Sequence, residues 1–330
     1  RSSATLLCDG QASRGTLVQK RTPNLINTKE HFWSWQGWQV SWSCFSSEAV
    51  ADQSIPATVL IHGFGACKEH WRHNQTVLAQ VSPCFAIDLL GFGDSSQPRA
   101  RLHGEAPHPG DFCYDFDSWG SQVAAFCREV VQTPVRIVGN SIGGVIALRA
   151  AQLLEDACCG VVLIDCAQRT LDDKRLDEQN SWMRWTRPWL KSLVRQRWLS
   201  SSLFRNASNP IVIRRVLKQA YPSGNNLDNS LMSMLQKPAQ RTGAVEAFHG
   251  FINLFDDYLA PELMADLNMP VDLIWGAADP WEPLEEAHRW AALLPCIRSL
   301  EVVDDAGHCP HDEVPEKVNP LLLRIIQQAT

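Results

Sequence analysis

Ser141 has the setting that most suggests chemistry. It sits in Val138-Gly139-Asn140-Ser141-Ile142-Gly143-Gly144, with an apolar run from Val135 to Val138 leading in and a helix-like run from Val145 to Leu154 leading out. The string predicts a strand, a sharp turn and a helix. In a Gly-x-Ser-x-Gly turn the serine is forced into a strained conformation that lifts its hydroxyl above the sheet edge, and the flanking glycines let strand and helix approach. The N–H of Ile142, at the helix start, then points at any oxyanion that forms there. Five residues alone also fit a passive serine in a glycine-rich turn, so the rest of the chain has to supply partners.

A serine hydroxyl needs a base, and the base needs an anion that holds its tautomer. Asp279 follows the apolar run Val271 to Trp275, and His308 follows the run Ser299 to Val303. Both therefore fall at the C-terminal ends of expected parallel strands, where such sheets build their sites. Asp165 also ends an apolar run, Val161 to Ile164, and is a rival carboxylate; His311, just beyond Pro310, is a rival base. Asp279 and His308 are the preferred pair. A third strand, Ala57 to Ile61, runs into His62-Gly63-Phe64-Gly65, whose glycines can turn backbone N–H groups toward a cavity. Phe64 is the expected second oxyanion donor, and His62 the residue that orients its loop. A serine rather than an aspartate at the turn disfavours dehalogenation and epoxide opening, so acyl transfer to water is the reaction these parts suit. His308, Cys309 and His311 lie close enough to suggest metal ligation, but no complementary Cys/His cluster lies elsewhere, and no bound metal is expected.

The elements that must position these groups alternate strand and helix. Aromatic residues Phe32, Trp33, Trp35, Trp38 and Trp42 around Gly37 predict an early hairpin. Cys84 to Leu89 predicts the next strand, 97–115 a long loop, Ser118 to Val131 an amphipathic helix, and Pro315 to Ile326 a closing helix. Between 167 and 262 the alternation stops. That stretch reads as several short helices punctuated by Pro188, Pro210, Pro222 and Pro238, an insertion of the kind that caps a site. Its apolar residues, Trp182, Trp185, Trp189 and Trp198 among them, are expected to pack the insert on the core, and together they suggest a large apolar ligand space. The expected organisation is an α/β core over 31–166 and 263–330, a helical cap over 167–262, and a disordered or transit-peptide-like segment over 1–30.

In the 330 residues, 45% hydrophobic and 20% charged with a net charge of −6, there is no long basic block, so nucleic acid is not an expected partner. No apolar run is long enough to span a bilayer, so any membrane contact would be peripheral. Eleven scattered cysteines without a CxxC pair fit reduced, buried thiols.

The segments His62-Gly63-Phe64-Gly65, Ile87 to Ser95, Gly139 to Gly144 and Asp279-Pro280-Trp281 together resemble the α/β-hydrolase superfamily. Within it, Ala306-Gly307-His308-Cys309-Pro310-His311-Asp312-Glu313-Val314-Pro315-Glu316, Val216 to Tyr221 and Trp33 to Gly37 resemble the pheophytinases and chlorophyll dephytylases of plants, algae and cyanobacteria. The resemblance spans 31–328 and is weakest in the loop 97–115 and much of the cap. It implies an α/β-hydrolase fold, a mostly parallel sheet flanked by helices with a helical cap insertion. It implies Ser141, Asp279 and His308 as catalytic triad and Phe64 and Ile142 as oxyanion donors. The implied reaction is hydrolysis of the phytyl ester of pheophytin or chlorophyll without a cofactor. The implied location is the chloroplast in a eukaryote, or the cytoplasm or thylakoid surface of a cyanobacterium. Carbon–carbon bond hydrolases of aromatic ring-cleavage products, generic carboxylesterases and a non-catalytic binding protein on the same fold are the alternatives.

Overall fold

Residues 25–51 and 55–328 are described by the computed structural model. The strands are β1 (Leu25–Trp35), β2 (Trp38–Ser47), β3 (Ala57–Ile61), β4 (Cys84–Ile87), β5 (Arg99–Ala100), β6 (Asp111–Phe112), β7 (Val135–Asn140), β8 (Cys158–Ile164), β9 (Val271–Gly276) and β10 (Ile297–Val303). The helices are α1 (Glu48–Ala51), α2 (Gln75–Leu78), α3 (Phe116–Phe126), α4 (Ile142–Leu154), α5 (Ser181–Val194), α6 (Arg197–Ala207), α7 (Pro210–Ala220), α8 (Asn229–Ala239), α9 (Ala244–Ile252), α10 (Ala260–Ala265), α11 (Leu284–Leu293), α12 (Pro310–Glu313) and α13 (Pro315–Gln327).

Eight strands form one sheet in the order β1-β2-β4-β3-β7-β8-β9-β10. From β4 to β10 the neighbours run parallel; only the β1–β2 hairpin is antiparallel, to itself and to β4. β3, β7 and β9 are buried at every residue because helices cover both faces, and so they read as largely apolar runs; the charged exceptions are paired, Arg136 donating to Ile326 O at 2.6 Å and Asp272 accepting from Arg298 at 2.5 Å. Successive side chains still alternate between faces. Val59, Ile61 and Ile137 join the core beneath α4 with Val145 and Ile146, while Leu60 and Val138 join the core beneath α13 with Val318 and Leu322.

After β3 the chain moves one way to β4 and later returns to the other side of β3 as β7. The strand order therefore switches direction between β3 and β7, and such a point opens a crevice beyond the C-terminal strand ends. The loop after β3 and the turn after β7 both face that crevice.

Several boundaries differ from those read in the sequence. β1 begins at Leu25, inside the segment expected to be disordered, because its backbone pairs with β2 from Leu25↔Ser47 onward. The transit-peptide reading otherwise falls on residues 1–24, outside the described residues. α3 starts at Phe116, where Asp115 caps it by accepting from the Ser118 N–H at 2.8 Å. It ends in a wider turn closed by Gln132 N–H donating to Cys127 O at 2.8 Å. The segment 97–115 is tied down by the short β5–β6 pairing and by Tyr114 Oη donating to Pro98 O at 2.7 Å. Six helices, α5 to α10, lie between β8 and β9; α5 to α9 fall within the expected insert, whereas α10, which straddles residue 262, packs on α4. The tryptophans of the insert do not pack inward: Trp182, Trp185, Trp189 and Trp198 are 66%, 77%, 75% and 67% exposed.

Candidate active site

Ser141 lies between the end of β7 and the start of α4 with φ 56° and ψ −125°, a conformation that costs a non-glycine residue about 1–3 kcal/mol and persists only where the surroundings over-determine it. The Ser141 N–H donates to Ile164 O at 3.0 Å, and Ser141 O accepts from Gly144 N–H at 3.0 Å and Ala167 N–H at 3.1 Å. A Cβ on Gly139 would lie 2.1 Å from Gly143 O, and one on Gly143 would lie 2.6 Å from both His62 O and Ile61 O. Strand, helix and the β3 loop thus meet backbone to backbone, which explains glycine at these two positions.

In the loop between β10 and α12, His308 Nδ1 is 2.8 Å from Asp279 Oδ2. Asp279 Oδ1 accepts from the N–H groups of Trp281 at 2.9 Å and Glu282 at 3.2 Å, so one carboxylate oxygen is pinned and the other faces the imidazole. Burial works to raise the Asp279 pKa, but His308 and these two N–H groups hold it below the usual carboxylate range. The rival Asp165 lies behind the pair. Its Oδ1 accepts from Gly276 N–H at 2.9 Å, and burial, reinforced by the charge of Asp279, pushes its carboxyl well up. Asp279, not Asp165, therefore supplies the carboxylate oxygen that meets His308 Nδ1. The rival His311 faces away, 4.3 Å from the Trp71 ring and 4.7 Å from the His70 ring between centroids, and burial drives its pKa well down.

The loop after β3 is held by side chains whose roles only partly show in the sequence. His62 Nε2 accepts from Leu89 N–H at 3.1 Å, so its Nδ1–H donates to Gly63 O at 2.7 Å; burial lowers its pKa to about 4. That matches a loop-orienting histidine. Buried Asp88 accepts from Lys68 N–H at 2.6 Å, Asp94 N–H at 2.9 Å and Lys68 Nζ at 3.1 Å, clamping the next turn to the same loop. The Phe64 ring stacks on Phe251 with centroids 4.1 Å apart. Among the described residues, no protein group accepts from the N–H of Phe64 or of Ile142.

The segment Pro310 to Glu313, read at first only as resemblance, proves to be a bracket between the histidine loop and the cap. Glu313 accepts from Gly307 N–H at 2.7 Å, and its other oxygen accepts from Ser223 N–H at 2.8 Å and Ser223 Oγ at 2.6 Å. Asp312 accepts from Arg72 Nε at 2.7 Å and from Tyr221 Oη at 2.9 Å, and Tyr221 in turn accepts from His70 Nε2 at 2.8 Å. His308 N–H donates to Ala220 O at 3.0 Å, and Asn140 Nδ2 donates to His308 O at 3.0 Å. None of Asn140, Asp312 and Glu313 stands out by type or spacing, since each partner is distant in the chain.

Ser141, His308, Phe64 and Ile142 all line one cavity of about 840 Å³, at the upper end of the range for small-molecule sites. The cap roofs it with Met183, Leu190, Val194, Phe204, Val216 and Phe248. Trp281 closes the side near His308, with ring centroids 4.8 Å apart. Glu282 also faces the cavity; burial pushes its carboxyl up to about 8. A hydroxyl on a strained turn, an imidazole braced by a carboxylate, and backbone N–H groups at a helix start are the parts of a nucleophilic hydrolase site. Among the described residues, no group of three or more His, Cys, Asp and Glu is placed to hold a metal ion, and Cys67, Cys84, Cys127, Cys158, Cys166 and Cys309 are buried free thiols.

Comparison with known proteins agrees at the level of fold. The chloroplastic pheophytinase of Arabidopsis thaliana is 27% identical over 292 residues, covering 81% of this chain; the chain spans 60% of that protein's length. Epoxide hydrolase B of Mycobacterium tuberculosis is 23% identical over 348 residues, covering 84% of this chain and 93% of that protein. The solved structure of a serine hydrolase involved in carbazole degradation superimposes with a TM-score of 0.69 at 18% identity, covering 91% of this chain and 98% of that one. The family model described as the alpha/beta hydrolase family matches residues 58–321, from β3 through most of α13, and the chain belongs to that family.

Proposed function

We propose that the chain is a serine ester hydrolase for a large apolar substrate, and that the substrate is the phytyl ester of pheophytin or chlorophyll. The observation that carries the hydrolase reading is the strained Ser141 opening, with His308, onto the apolar cavity of about 840 Å³. In this reading Ser141 Oγ attacks the ester carbonyl while its proton passes to His308 Nε2. The N–H groups of Phe64 and Ile142 hold the oxyanion, and Asp279 stabilises the imidazolium. His308 then protonates the departing alcohol, and water, activated by the same imidazole, releases the acid. These steps use only protein groups and water.

The cavity's size and apolar lining, together with the likeness to the Arabidopsis pheophytinase, support a phytyl ester as substrate. The same reading puts the protein in a chloroplast, or in the cytoplasm or at the thylakoid surface of a cyanobacterium. The test is incubation with pheophytin a and chlorophyll a, with Ser141→Ala as control, watching by chromatography for dephytylated pigment. Serine-dependent release supports the substrate, and the ratio of products separates the two pigments. If neither pigment reacts but a short nitrophenyl ester does, the substrate claim fails and the ester hydrolase remains.

A further inference from the structure

The insert carries two apolar stripes where a cap helix needs one. Along α5, Met183, Arg187, Leu190 and Val194 face the cavity. Trp182, Trp185, Trp189 and Leu193, also spaced at helical intervals but turned by roughly 100° from the first set, are exposed to solvent. Trp198 on α6 and Ile211 and Val212 on α7 extend the exposed apolar surface across helices that pack in succession, α5 on α6 and α6 on α7. A core-packing role does not explain this second stripe.

Its charge is equally distinctive. From Ser181 to Ala220 the chain has nine Lys or Arg and no Asp or Glu, in a protein whose net charge is −6. Arg187 and Lys191 pair with Asp173, and Arg197 with Glu246. Arg205, Arg214, Arg215 and Lys218 are exposed and have no ion-pair partner among the described residues. Exposed tryptophans beside uncompensated Lys and Arg on amphipathic helices are the composition of a surface that lies in the headgroup layer of an anionic bilayer.

We propose that α5, α6 and α7 form a docking surface for anionic lipid membranes and hold the cavity mouth against the bilayer. Leu190 and Val216 belong to both surfaces: each lines the cavity and each is 43% exposed. An apolar molecule dissolved in the membrane thus meets continuous apolar surface from the exposed stripe into the cavity. Charge argues against other occupants. A second copy would set one basic face on another, and residues 1–24 carry Arg1, Arg14, Lys20 and Arg21 against Asp9 alone.

The test does not depend on the phytyl-ester reading. Flotation of the full chain with phosphatidylcholine vesicles, with and without phosphatidylglycerol, reads binding directly; hydrolysis of a soluble nitrophenyl ester reads the integrity of the site. The wild type should float with the anionic vesicles, weakly with neutral ones, and less as salt is raised. Replacing Trp182, Trp185 and Trp189 by Ala, or Arg205, Arg214 and Arg215 by Glu, should lower anionic-vesicle binding about ten-fold or more while soluble-ester turnover stays at the wild-type level. The proposal is overturned if the wild type stays unbound to both vesicles or if both variants bind as the wild type does. It is also overturned if the tryptophan variant merely turns a dimer into a monomer on gel filtration, or if an oligonucleotide binds the wild type where anionic vesicles do not.

Discussion

Glu313 offers the sharpest test of how the histidine loop is held. It is fully buried, one oxygen accepting from Gly307 N–H at 2.7 Å and the other from the backbone and hydroxyl of Ser223. In Glu313→Ala the Gly307 N–H is left in a dry site, a loss of about 2–3 kcal/mol for a bond to a charged acceptor. Ser223 is exposed, so water can replace its two bonds, and they add about 0.5–1 kcal/mol. With an unfolding entropy of about 2.1 cal/mol/K per residue, a total near 3 kcal/mol lowers Tm by roughly 4 °C in a chain of this length. His308 keeps its bonds to Ala220 O and Asn140 Nδ2, so the imidazole should shift rather than detach. A displacement of about 1 Å costs up to 10²-fold in rate, and it should appear in kcat with little change in KM. Glu313→Gln, whose amide accepts one N–H but opposes the other, should fall between wild type and Glu313→Ala in both readouts. Thermal unfolding and nitrophenyl-ester kinetics suffice. A Glu313→Ala protein with wild-type kcat and unchanged Tm would refute the bracket.

Other perturbations have equally definite outcomes. Ser141→Gly should abolish turnover yet raise stability by about 1 kcal/mol, because glycine accepts φ 56° without strain; a lower Tm than wild type would contradict the strain. Asp279→Asn should keep the fold and lower kcat by about 10⁴-fold. The amide oxygen would take the N–H groups of Trp281 and Glu282, turning the NH₂ toward His308 Nδ1 and forcing the proton onto Nε2. A variant near full rate would remove the carboxylate from the proposed mechanism. Glu282, usually near 4.5 but pushed to about 8 by burial, binds a proton in the folded state that the unfolded chain has released between those values. Its contribution therefore weakens the fold as pH rises through that window and is fully unfavourable above pH 8. Glu282→Gln should gain in Tm over the wild type from pH 5 to pH 8, and a difference independent of pH would refute the assignment.

Much of this was legible in one dimension because its cause is local. The turn at Ser141 needs small residues at Gly139 and Gly143 wherever it occurs, and the fully buried strands β3, β7 and β9 need largely apolar runs. The alternation of strands and helices and the placement of Asp279 and His308 after apolar runs likewise follow from short stretches of chain. Tertiary structure decided what depends on partners far apart in sequence. Asp279, not Asp165, meets His308, because β9 lies beside β10 while Asp165 is buried behind and bonded to Gly276. The roles of Glu313, Asp312 and Asn140 exist only once α12, the cap and β7 converge. The tryptophans of α5 show the limit most plainly. Helical spacing marks an apolar stripe, but which stripe a helix with two of them turns inward depends on the body it packs against, and here the tryptophan stripe faces outward.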